Sequence, residues 1–131
     1  MGEPAGIGPE LALAAYGMLG GRVGRHPLKL VGDPAVFGAI DAPVIATKAR
    51  ARRTPGRPDP ANAGAVTEAI EIAVDACMKG EAAGIVTAPI HKAVLAQAGF
   101  ALPGHTEFLG ALTGVRRPVM MRHSNTLRVV P

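Results

Sequence analysis

The sequence predicts an α/β fold: a largely parallel sheet with flanking helices. Short apolar runs that end in turns alternate with segments of helical period, the pattern of strands and helices taken in turn. The apolar content of 48% rests on Ala, Val, Ile and Leu with only 3% aromatics, which suits parallel strands covered on both faces. The 17 glycines and 12 prolines supply the many turns that such an alternation needs.

The first helix starts at Gly8-Pro9, where proline's missing N–H costs nothing. Leu11, Ala14, Ala15, Met18 and Leu19 follow at helical spacing, and Gly20-Gly21 ends the run. Leu28 to Gly32 reads as a short strand, Asp33 as the cap of a helix from Pro34, and Ala42 to Thr47 as another strand. Lys48 to Pro60 is a loop. Asn62 is a plausible cap for the clearest helix, with Val66, Ile70, Ala73 and Cys77 on its apolar face and Glu68, Glu71 and Asp75 facing out. Lys79-Gly80 terminates it. Ala83 to Pro89 reads as a buried strand, Ile90 to Ala98 as a helix, and a further helix follows "LPGHTEF" to Thr113. "RPVMM" and "TLRVV" look like two strands. There is no internal repeat.

With 131 residues the chain makes one modest domain that needs no disulfide or metal in order to fold. The single cysteine, Cys77, excludes an internal disulfide framework and fits a reducing cytoplasm; its place on an apolar helix face makes it a core residue. No stretch is long and apolar enough for a membrane span, and no targeting segment is evident. The net charge of +4 is local, because Lys48, Arg50, Arg52, Arg53 and Arg57 fall within ten residues and the rest is near neutral. Nucleic-acid binding is not expected without a spread basic face or stacking aromatics; a solvated basic loop is.

In a parallel sheet the strand-to-helix loops gather at the ligand-binding edge. That rule singles out Gly2–Pro9, Thr87–Lys92 and Gly104–Glu107. "GEPAGIGPE" is neither a G-x-G-x-x-G dinucleotide loop nor a P-loop, so it is first a tight turn for close packing. Glu3 and Glu10 need burial or a ligand before they count as catalytic. In "TAPIHK", Lys92 can meet a phosphate or a carboxylate as a point charge, or stay solvated; His91 reads equally well as an exposed first-turn residue and Thr87 as a satisfied polar group at the strand end. In "PGHTEF", Thr106 can cap the next helix and Glu107 suits its first turn. His105 is the side chain best able to meet a polar substrate as donor, acceptor or metal ligand. His26 and His123 lack such company.

Taken in order, "MGEPAGIGPE", "RPDPANAG", "VTAPIHK", "GHTEFL", "RPVMM" and "LRVVP" resemble the 4-hydroxythreonine-4-phosphate dehydrogenases of pyridoxal 5′-phosphate biosynthesis. The resemblance spans nearly the whole chain and implies a fold akin to isocitrate and isopropylmalate dehydrogenases. It implies NAD- or NADP-dependent oxidation and decarboxylation of 4-phosphohydroxy-L-threonine to 3-amino-2-oxopropyl phosphate, in a cytoplasmic homodimer. A divalent metal (Zn, Mg or Co) serves the family's chemistry. The family's substrate-binding pair falls on His105 and Thr106; no catalytic role passes to Glu3, Glu10 or Lys92. Paralogues act on threonate or erythronate 4-phosphate or on a cis-dihydrodiol dicarboxylate, and these motifs do not separate them.

Family members are more than twice as long. Their metal-binding histidines are expected downstream of Pro131, as are the cofactor region and further substrate contacts. A first strand is expected ahead of "MGEPAGIG", and the loop from Thr47 to Pro58 is short for the family. Residues 1–131 therefore read as the N-terminal portion of a longer dehydrogenase, with no independent second domain and no metal-dependent turnover alone. A non-catalytic fragment is the reading from a different class.

Overall fold

The computed structural model describes residues 1–130, in two compact units, Met1–Phe100 and 101–130. The first unit is built on a parallel pair of short strands, β3 (Leu30–Gly32) and β4 (Val44–Ala46), in register from Leu30↔Val44 to Gly32↔Ala46. The connection between them is α2 (Pro34–Phe37), which starts where expected: Asp33 caps it by accepting from the Ala35 N–H at 3.0 Å.

Helix α3 (Ala63–Met78) packs on β3 and supplies the largest share of the core. Ala65, Val66, Ala69, Ile70 and Val74 are buried, joined by Val36, Phe37, Val94 and Leu95. Each large aliphatic side chain buried here contributes about 1.5–3 kcal/mol. Gly80, at φ +75°, ends the helix as the sequence suggests, with the Gly80 N–H returning to the Cys77 carbonyl and the Glu81 N–H to that of Ala76.

Several expectations are corrected. Helix α1 (Gly8–Met18) forms, but it leaves Leu11 and Met18 exposed; Ala12, Leu13 and Tyr16 make its half-buried stripe. Gly21, at φ +71°, then turns the chain into a hairpin of β1 (Arg22–Val23) and β2 (His26–Pro27) that the sequence reading missed. Residues 83–89 join no strand among the described residues, and Val86 is fully exposed, so the expected buried strand is absent here. A strand needs a neighbouring strand for its ladder of hydrogen bonds, and none pairs with this run among the described residues. The next helix, α4, is shorter than expected (Lys92–Gln97).

Asn62 does not cap α3 with its side chain, and Glu68 does not simply face solvent; both bind the 48–52 backbone. The second unit holds α5 (His105–Thr113) and an antiparallel pair, β5 (Arg122–His123) and β6 (Arg128–Val129). "RPVMM" forms no strand, and the pairing begins just after it. The sheet content is thus one parallel and two antiparallel pairs among the described residues, not a continuous parallel sheet. No helix of the described residues is long and apolar enough to cross a membrane.

Candidate functional site

The opening loop and the 87–92 turn meet in the first unit. The Glu3 N–H donates to the Pro89 carbonyl at 2.9 Å. Gly2 lies at φ +71°, and a Cβ there would stand 2.6 Å from the Pro89 oxygen and 2.8 Å from the Ala88 Cβ. A Cβ on Gly8 would lie 3.0 Å from the same Ala88 carbon. These glycines are therefore needed for the approach of one protein segment to another. Their open side is filled by Ala88 and Pro89, so this loop does not fit a dinucleotide's phosphates.

Glu3 is buried at 5% exposure, which satisfies one condition for a catalytic role. Its contacts explain the burial otherwise. The carboxylate accepts from the Ala5 N–H at 3.0 Å, and the Glu3 carbonyl accepts from the Gly6 N–H, so the residue folds the loop around itself. Glu10 is ion-paired with Arg53. Thr87 is exposed in the 83–89 run. His91 caps α4, its Nδ1 accepting from the Val94 N–H at 3.3 Å. Lys92 is exposed on the first turn, where the helix dipole gives a cation no help.

His105 and Thr106 lie in the second unit, as the first and second residues of α5. Gly104 is the residue before the helix, and no side chain caps that end, so Thr106 is not the cap that its type suggested. Both residues are half-buried, while Glu107 occupies the favourable first turn in the open. Successive helical residues diverge by about 100°, so the pair presents polar groups in two directions from one rigid turn.

The basic segment is tied down, in contrast to the solvated loop expected. Asp33, 1% exposed, accepts from the Ala51 N–H at 2.8 Å and from Arg50 Nη1 at 3.1 Å, besides capping α2. Burial pushes its carboxyl up, but the two backbone N–H groups and the Arg50 guanidinium outweigh that and hold it below the usual carboxylate value. Asn62, 2% exposed, both accepts from the Arg52 N–H and donates to the Arg52 carbonyl, at 2.8 and 2.9 Å. Glu68 accepts from the Lys48 and Ala49 N–H groups at 2.9 and 2.8 Å. Sequence reasoning missed these roles because each acceptor lies ten or more residues from its donor. The only local signal is a loop whose many N–H groups need partners.

Among the described residues no three His, Cys, Asp or Glu side chains converge on a metal-holding arrangement. They do not make a metal centre.

Fold and residues together define an α/β protein of the kind found in solved dehydrogenases. The chain superposes on a crystal structure of 4-hydroxythreonine-4-phosphate dehydrogenase from Klebsiella pneumoniae with a TM-score of 0.80 at 27% identity, covering 99% of this chain and 47% of that one. The family model described as pyridoxal phosphate biosynthetic protein PdxA matches residues 25–131, and the chain belongs to that family. It is 43% identical to the 4-hydroxythreonine-4-phosphate dehydrogenase of Methylorubrum extorquens (strain PA1), covering 100% of this chain and 46% of that protein. It is 47% identical to the same enzyme of Roseobacter denitrificans, covering 99% and 45% respectively. The chain thus spans about half the length of the curated relatives it matches.

Proposed function

We propose that this chain is the N-terminal portion of a dehydrogenase that oxidises and decarboxylates 4-phosphohydroxy-L-threonine with NAD or NADP in pyridoxal phosphate biosynthesis. In this reading, His105 and Thr106 hold the substrate. The observation that carries it is the His-Thr pair on the first turn of a helix, in a chain whose relatives are named for that activity. The likeness to the solved dehydrogenase over 99% of the chain supports it.

From the first turn of α5, the imidazole of His105 exchanges hydrogen bonds with a hydroxyl or carboxylate, and the Thr106 hydroxyl meets a second polar group. Two contacts from one turn fix orientation as well as position, which is what hydride transfer to a nicotinamide asks of the protein. The divalent metal's ligands and the nicotinamide's contacts are assigned to sequence outside residues 1–131. The same reading carries kinship to isocitrate and isopropylmalate dehydrogenases, a homodimer and a cytoplasmic location.

The test follows NAD(P) reduction by the full-length protein, of which this chain is the N-terminal portion, with 4-phosphohydroxy-L-threonine and a divalent metal, together with calorimetric binding of that substrate. His105→Ala should weaken binding about ten- to a hundredfold, as expected for losing a hydrogen bond to a charged group. Equal binding by wild type and His105→Ala overturns the assignment of the pair. Turnover of threonate 4-phosphate alone moves the protein to a paralogous reaction.

A further inference from the structure

The basic segment 48–57 carries five like charges and little apolar surface, a composition that self-repels and belongs in water. It is nevertheless held by three side chains from outside it. The N–H groups of Lys48 and Ala49 go to Glu68 in α3, that of Ala51 goes to Asp33 ahead of α2, and that of Arg52 goes to Asn62 ahead of α3. Downstream, the Gly56 N–H donates to the Ala5 carbonyl at 2.8 Å. Arg53 pairs with Glu10 of α1 and reaches the Val36 carbonyl at 3.5 Å. One end of the segment is therefore fastened to the core helix and the other to the opening loop.

We propose that residues 48–56 act as a latched strap, a separately opening unit whose closure holds the opening loop in place. Side-chain-to-backbone hydrogen bonds hold it, and almost no buried apolar contact does, so it opens at a lower free energy than the α3 core. Asn62 is the centre of the latch. Its amide matches both the donor and the acceptor of Arg52 and is almost fully buried, so its loss leaves two backbone groups without partners. Opening there carries Gly56 and Arg53 away from Ala5 and Glu10.

Trypsin reads this directly, because Lys48, Arg50, Arg52 and Arg53 are cleavable, whereas Arg57 precedes Pro58 and is not. In the wild-type chain, these bonds should be cut slowly, and the amides of Lys48, Ala49, Ala51 and Arg52 should exchange with deuterium about tenfold or more slower than in a free peptide. Asn62→Leu, of similar volume, should speed cutting within the strap about tenfold while leaving the rates at Arg22 and Lys79 unchanged. The Gly56 amide should exchange faster in the same variant. If Asn62→Leu does not fold, Glu68→Gln serves the same comparison, since it turns an amide N–H2 toward one of the two donors. Free-peptide exchange of the strap in wild type overturns the proposal. So does cutting that rises equally at Arg22 and Lys79, or a Gly56 amide that does not respond.

Discussion

Glu3 and Pro89 are joined backbone to backbone, N–H to carbonyl at 2.9 Å, across 86 residues of sequence. That bond holds the opening loop against the turn leading into α4, and Gly2 makes the approach possible.

Gly2→Ala should therefore destabilise the first unit by about 2 kcal/mol or more, combining the left-handed backbone penalty with overpacking. The new Cβ meets a backbone oxygen and Ala88, neither of which can swing aside. Urea denaturation of the two proteins side by side checks this; an unchanged midpoint would show that the two segments are not packed as described.

Acid should weaken the fold through Asp33. Its carboxyl titrates below its ordinary value of 3.8, despite burial that acts the other way, because the Ala51 and Ala35 N–H groups and Arg50 stabilise the charged form. Glu68 is likewise lowered from 4.5, first by the Ala49 N–H and then by that of Lys48. A carboxylate whose folded value is depressed contributes stability that is full above the unfolded value and lost as pH falls through the folded one. Stability should hold down to the ordinary carboxylate range and then drop. Asp33→Asn should be less stable near neutral pH and show a shallower acid limb in urea melts taken across pH.

Two helical glycines should respond with opposite signs. At Gly17 in α1 a Cβ would meet nothing within 4 Å, so Gly17→Ala should gain about 0.5–1 kcal/mol from helix propensity. At Gly110 in α5 a Cβ would stand 2.8 Å from the Pro118 Cγ and 3.2 Å from its Cδ. The rigid proline ring cannot yield, so Gly110→Ala should lose stability in spite of the same propensity gain. Thermal melts of both variants decide it.

The elements that local chemistry specifies were legible from sequence. Asp33-Pro34 announces a capped helix within three residues, and Val66 and Ile70 announce the buried face of α3 by spacing alone. The His105-Thr106 pair could be located at a helix start, and of the two readings open there Glu107 in the first turn holds while Thr106 is not the cap. What was not legible depends on distant partners. An apolar run such as 83–89 becomes a strand only if another strand lies alongside. Glu68 and Asn62 look like ordinary surface and capping residues until the loop they hold is folded over them. The Arg22–Pro27 hairpin was missed because charged residues replace the alternating apolar pattern that marks such turns.

The run 83–89, with Val86 wholly in water, bears on how the chain behaves in company. Main chain at 84–88 that no strand pairs offers a template for another copy's backbone, and apolar side chains there reward that pairing. Self-association should then respond to what stands at position 86. A charge placed at position 86 acts as a gatekeeper against self-association at no cost to the core.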